Sequence, residues 1–273
     1  MNKTLRTILS IVLFIAAFIA IQTLVQAIGV AIYCQLKDLQ YLQVVTAMAA
    51  GMYSKLLVIT NIISSVITIA LFALLRWSPP SRVYLRSKPW AVIVWTILLA
   101  LGTILPAEWL YERMQIELPE QMEALFEGVM REPMGYLAVG ILAPVAEEMV
   151  FRGAILRQLL TLFSRRFHWV AIVVSALIFG AIHLNMAQGI HAFVIGLLLG
   201  WLYYRTGSIV PGIVLHWVNN TVAFVMFNVM PELSDGKLID LFHGNNRMMV
   251  YALMFSLCIL LPSLFQLAMR TRK

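Results

Sequence analysis

The chain has 273 residues, 61% of them hydrophobic and 12% charged, with a mean hydropathy of +0.86, whereas a soluble domain carries about 25% charged residues. That composition excludes an ordinary soluble globular protein and predicts a polytopic membrane domain. The net charge of +7 reads as contact with anionic lipid and as a topology signal, and it needs no nucleic-acid partner.

A spanning helix requires about 20 predominantly apolar residues. Thr7 to Tyr33 is the first such run, free of charge. It is too long for the hydrophobic core of a cleavable signal and has no small-residue cleavage site after it, so it is expected to stay as a helix. Leu56 to Leu75 and Trp90 to Ala107 follow. Next comes the longest polar excursion, Glu108 to Pro133. In it Met122, Leu125, Phe126, Val129 and Met130 recur with helical spacing, an amphipathic pattern. This segment reads as a helix on the outer surface or capping the bundle, with a mobile gate over a substrate path as the alternative. Gly135 to Phe163 is apolar apart from Glu147, Glu148, Arg152 and Arg157. Trp169 to Leu184, Ile190 to Tyr204, Ser208 to Met230 and Met248 to Met269 complete the set. The expected fold is all-α: one membrane domain over residues 1–273, with about eight transmembrane helices. Cys34 and Cys258 show no motif spacing, so they are expected to be packing residues.

Lys and Arg concentrate in cytoplasmic loops. With the N-terminus inside, the inner segments hold Lys3, Arg6, Arg76, Arg82, Arg86, Lys88, Arg157, Arg165, Arg166, Arg205, Arg270, Arg272 and Lys273 and no acid, while the acids outside the spans all fall on the other face. Both termini are therefore expected to be cytoplasmic.

An ionisable group at bilayer depth costs at least ~2.5 kcal/mol on insertion scales, so Glu147, Glu148 and Arg152 within six residues require a reason. On a helix Glu148 and Arg152 are i and i+4 and can pair, while Glu147 points about 100° away. Glu148 is thus assigned a structural role. Glu147, desolvated beside another negative charge, suits the removal of a proton from water. A packing ion network without chemistry is the alternative. Downstream, Phe179-Gly-Ala-Ile-His183 ends one apolar segment and His216-Trp-Val-Asn-Asn220 lies in another. His216 and Asn220 share a helical face, and such paired donors can hold a developing oxyanion. His183 can help Glu147 activate a water or can ligate a metal.

These residues resemble the CPBP intramembrane proteases, which include the C-a-a-X prenyl endopeptidases and the Abi group of bacterial membrane proteins. The family's E-E-x-x-x-R matches Glu147, Glu148 and Arg152, its F-x-x-x-H matches Phe179 and His183, and its H-x-x-x-N matches His216 and Asn220. Gly196-Leu-Leu-Leu-Gly200 and Tyr204-Arg-Thr-Gly-Ser208 to Pro211 are also similar, so that the family core runs from about residue 135 to 224. The resemblance implies an endopeptidase with Glu147 as general base, His183 assisting it, His216 and Asn220 as the oxyanion site, and Glu148, Arg152 and Phe179 in support. A zinc site of Glu147, His183 and His216 is possible. The metal-free reading is preferred, because Asn220 is a poor zinc ligand and the soluble-zincin H-E-x-x-H is absent.

His168, His191 and His243 match no motif of that family; His191 could line the cavity, though ordinary packing is the first expectation. No Asp lies in a span and no serine-nucleophile motif occurs, which sets aside other intramembrane protease classes. A proton-linked carrier, or a scaffold or immunity factor using the same buried polar residues, is the rival reading. The expected partners are the lipid bilayer and a membrane-bound peptide or protein substrate. The expected location is a bacterial plasma membrane. Peptide maturation, export and bacteriocin self-immunity all remain open roles.

Overall fold

In hydrocarbon every backbone N–H and C=O must find its partner inside the protein, so a long lipid-facing apolar run has little choice but to become a helix. The structure, a computed structural model, describes residues 2–79, 81–116, 118–230 and 237–271 and shows no strand among them. Arg272 and Lys273, assigned above to the cytoplasmic face, lie outside the described residues. In chain order the helices are α1 (Lys3–Lys37), α2 (Tyr41–Ala49), α3 (Ser54–Leu74), α4 (Arg82–Arg86), α5 (Trp90–Arg113) and α6 (Glu120–Arg131). A continuous helical rod, Tyr136–Leu162, comes next and contains α7 (Ala143–Glu147) and α8 (Arg157–Leu162). It is followed by α9 (His168–Ala181), α10 (Met186–Thr206), α11 (Val210–Val229) and α12 (Asn246–Arg270).

Helices occupy all eight predicted segments, and the protein is an integral multi-pass membrane bundle. The predicted count of eight spans is not confirmed. Among the described residues six helices, α1, α3, α5, α10, α11 and α12, are long and apolar enough to cross a bilayer. The rod Tyr136–Leu162 passes that test only together with α6, from which it is bent by 96°, and the pair adds a seventh if it forms a single broken span. The segment Trp169 to Leu184 yields α9, a helix of 14 residues, short of the ~20 a span needs. Hydropathy alone does not reveal this, because Ile182 and Leu184 are still apolar after the helix has ended in tight turns, with the His183 and Leu184 amides bonding only three residues back.

Contacts divide the chain into two compact units, Met1–Pro80 with Leu118–Ser175, and Ser81–Glu117 with Ala176–Lys273. In the first, α1 packs along α3. Ser64 Oγ donates to Gln22 Oε1 at 2.7 Å between them. Phe14, Phe72 and Trp77 cluster, with ring centroids 5.0 Å apart for Phe14 and Trp77 and 5.1 Å for Phe72 and Trp77. Helix α6, on the periodicity predicted above, lays its buried Val129 and Met130 against α2 and α3. It comes so close that a Cβ on Gly51 would meet the Ala124 carbonyl oxygen at 2.7 Å. Gly51 also has φ +79°, a conformation that favours glycine.

In the second unit α5 packs most extensively on α12 and also on α11, while α10 packs on α11. The α5–α12 approach runs through Gly102, where a Cβ would lie 2.7 Å from the Leu260 backbone nitrogen. Helix α5 continues to Arg113, past the predicted end at Ala107. Its Glu112 carboxylate accepts the Leu238 backbone N–H from the loop before α12, which gives that carboxylate a structural use.

Candidate active site

The rod that carries the paired glutamates is not a regular α-helix. Two stretches, Tyr136–Leu142 and Glu148–Leu156, are wound as π-helix, with bonds reaching five residues back, as from Ala143 N–H to the Ala138 carbonyl and from Arg157 N–H to the Arg152 carbonyl. Pro144, at the start of α7, has no N–H to give to the regular ladder, which breaks there. Such turns are uncommon and concentrate at functional sites.

All nine residues of Glu148–Leu156 are buried. Phe151 meets Phe18 of α1 edge-on at 5.7 Å, and Ser175 Oγ donates to the Phe151 carbonyl at 3.2 Å. Inside this wall Arg152 Nη1 donates to Glu148 Oε1 at 2.7 Å. The pair inferred from i, i+4 spacing on an α-helix therefore forms on the wider turn as well. Glu147, the last residue of α7, is only half-buried. The Arg152 guanidinium interacts electrostatically with both carboxylates. One carboxylate is thus locked in a buried ion pair, and its neighbour stands at the edge of the buried zone.

The imidazole half is built in the second unit. Phe179 is buried and acts as a common wall: His183 meets its ring edge-on at 5.3 Å and His216 at 5.9 Å. His183 Nδ1 lies 2.9 Å from the Phe179 carbonyl oxygen. A carbonyl only accepts, so Nδ1 carries a proton, and in the neutral ring Nε2 then keeps its lone pair. That is the tautomer needed to take up a proton. On α11, His216 is 6% exposed. Asn220 follows one turn later and accepts a hydrogen bond from Asn219 Nδ2 at 3.3 Å.

Two features that hold His183 in place were missed in the sequence. Asn185 caps α10 by accepting from Gln188 N–H at 2.8 Å, while its Nδ2 donates to the His183 carbonyl at 2.9 Å. An Asn just before an apolar helix is a legible capping signal. Gly180 and Gly189 bring α9 and α10 into backbone contact: a Cβ on Gly180 would lie 2.6 Å from the Gly189 carbonyl oxygen. Between these anchors Leu184 is forced to φ +57°.

The seven residues singled out in the sequence thus fall into two preformed groups, Glu147, Glu148 and Arg152 in the first unit, and Phe179, His183, His216 and Asn220 in the second. Residues 131–222, which contain all seven, match the family described as type II CAAX prenyl endopeptidase Rce1-like. The similarity to that family covers 92 of the 273 residues of the chain. It is also similar to the Bacillus subtilis protein titled "Putative membrane peptidase YdiL", at 26% identity over 107 residues, 39% of this chain and 43% of that one. The matched stretch spans under half the length of that curated relative. No solved structure matches.

As to the zinc alternative, the His183 tautomer would suit a metal ligand, whose second nitrogen usually donates to a carbonyl. Among the described residues no group of three His, Cys, Asp or Glu side chains that could hold a metal ion is found within either unit.

Proposed function

We propose that the Rce1-like core makes this chain an intramembrane endopeptidase acting on a membrane-associated peptide or protein. The observation that supports this most directly is the family match over 131–222, which takes in all seven residues singled out above. In this reading Glu147 takes a proton from a water molecule as its oxygen attacks the scissile carbonyl carbon. The lone pair on His183 Nε2 assists in holding or relaying that proton. The carbonyl oxygen becomes an oxyanion, held by His216 and the Asn220 carboxamide. When the carbon–nitrogen bond breaks, the proton passes to the leaving amine. Glu148 and Arg152 keep the rod rigid and present a fixed charge beside Glu147. The proposed location is a bacterial plasma membrane, with both termini in the cytoplasm.

The test is cleavage of a peptide library by the purified protein in nanodiscs. Wild type is expected to cut, Glu147→Ala and His216→Ala to lose cutting, and a zinc chelator to leave it unchanged. Chelator loss restored by zinc would instead assign Glu147, His183 and His216 to a metal. If folded wild type leaves every peptide intact, the endopeptidase reading falls and the carrier and scaffold readings gain.

A further inference from the structure

We propose that Asn61 and Ser65 of α3 form a water-binding site against α7 and hold there the water that Glu147 deprotonates. Only the kinetic consequence rests on the endopeptidase reading; the site itself rests on how α3 packs on the rod.

Five polar residues stand in the middle of the apolar helix α3: Thr60, Asn61, Ser64, Ser65 and Thr68. In hydrocarbon a hydroxyl satisfies itself on a carbonyl of its own helix. Three of them do so, Thr60 on the Leu57 carbonyl at 2.9 Å, Ser64 on that of Asn61 at 3.0 Å and Thr68 on that of Ser64 at 2.8 Å. Thr60 and Ser64 also mark the face turned to α1, through Gly29 and Gln22. The other two differ. Neither the Asn61 carboxamide nor the Ser65 hydroxyl bonds any described residue, although Ser65 is only 5% exposed. Being i and i+4, they share one side of the helix.

That side is the one packed on the rod. Val58 clusters with Ala138, and Ile62 and Val139 lie against them. At the inner end Arg157 Nη2 donates to the Trp77 carbonyl at 2.9 Å. In both pairs the partners are 80 residues apart, so α3 and the rod run in the same direction in one register. Ser65, two turns past Val58 and hence on the same face, is on that register level with α7, on which α3 packs. Asn61 borders that face. On the rod, Glu147 comes eight residues after Val139, close to two turns of its mixed α and π winding, and so returns to the side that Val139 turns to α3. Its long side chain leans back towards the start of the rod, to the level of Ser65.

A buried water makes about three hydrogen bonds to polar groups that are otherwise unsatisfied. The Asn61 carboxamide and the Ser65 hydroxyl offer two. The Glu147 carboxylate, accepting a water proton, offers the third, and a water held in this way is oriented for deprotonation.

Two readouts test this. In lipid nanodiscs, protein labelled with 15N only at asparagine gives a carboxamide signal for Asn61, assigned by its loss in Asn61→Leu. That signal should receive magnetisation from water protons, and the transfer should weaken in Ser65→Ala. Transfer from lipid chains in place of water, or transfer unchanged in Ser65→Ala, overturns the site whatever the enzyme does. With a fluorogenic peptide that wild type cleaves, Asn61→Leu should lower kcat about tenfold, the effect of one hydrogen bond to the reacting water, at unchanged KM and melting temperature. Asn61→Gln, which keeps a carboxamide, should recover most of that loss. Wild-type kcat in Asn61→Leu, or a loss that Gln does not rescue, overturns the proposal. Glu147→Ala is the separate control: if it cleaves like wild type, the endopeptidase reading fails, and the water site is judged on the spectra alone.

Discussion

Arg152 Nη1 donates to Glu148 Oε1 across 2.7 Å, with the two side chains 1% and 0% exposed. The contact is made along a π-helical stretch whose every residue is buried, so neither charge has water to fall back on. A pair of this kind adds little against an apolar replacement, yet leaves a severe defect when one partner is removed.

Arg152→Met and Glu148→Gln should each destabilise the protein by about 3–5 kcal/mol, because the remaining group is left buried without its counterpart. The double variant should recover much of that loss. Thermal unfolding in detergent reads both effects, and an Arg152→Met protein that melts with wild type would sink this account of the pair.

The α9–α10 crossing should be intolerant of a methyl group. In Gly180→Ala the new Cβ meets the Gly189 carbonyl oxygen at 2.6 Å, and backbone cannot step aside as a flexible side chain does. Overpacking of this sort costs about 1–3 kcal/mol. Peptide cleavage should fall further than stability, since the same crossing places His183. A fully active, equally stable Gly180→Ala would show that the helices can part freely.

Leu184 has φ +57° and is 92% exposed, so its side chain gains little packing in return for a left-handed backbone. Leu184→Gly should stabilise by about 1 kcal/mol. A lower melting temperature for the glycine variant would mean that the leucine makes a contact that outweighs the strain.

Asn185→Ala removes the α10 cap and the bond to the His183 carbonyl together. Caps of this type contribute about 1 kcal/mol. Turnover should fall while KM stays near wild type, because the turn holding His183 loosens while the other site residues stay in place. Unchanged turnover would confine Asn185 to helix capping.

The Tyr84 hydroxyl on α4 is buried and has no hydrogen-bond partner among the described residues, and burial pushes its pKa from 10.0 up to about 12. The folded state therefore keeps this proton when the unfolded chain has lost it. Stability is unaffected below pH 10, falls as pH rises from 10 towards about 12, and loses nothing more from this group above that. Tyr84→Phe should match or exceed wild-type stability at neutral pH and decline less steeply over that alkaline window. Parallel stability curves for the two proteins would contradict the assignment.

The sequence by itself determined that this is a helical membrane protein, where its apolar helices lie, and which side chains are candidates for chemistry. It could do so because lipid leaves an apolar run no alternative to helix, and because charged and imidazole groups are conspicuous where their presence is costly. The i, i+4 logic that paired Glu148 with Arg152 survived the change of helix type, since four residues bring side chains to nearly the same face in either winding.

Tertiary structure alone decided the rest. Whether a rod winds as α or π depends on what packs against it, here α1, α3 and Ser175 of α9, and hydropathy does not record that. The early end of α9 at Ala181 comes from a turn held by Asn185 rather than from any loss of apolar character. The backbone contact of α9 with α10 beside His183 depends on two glycines nine residues apart meeting across a helix crossing. Gly180 and Gly189 look unremarkable in the chain. Their importance appears only where two backbones touch.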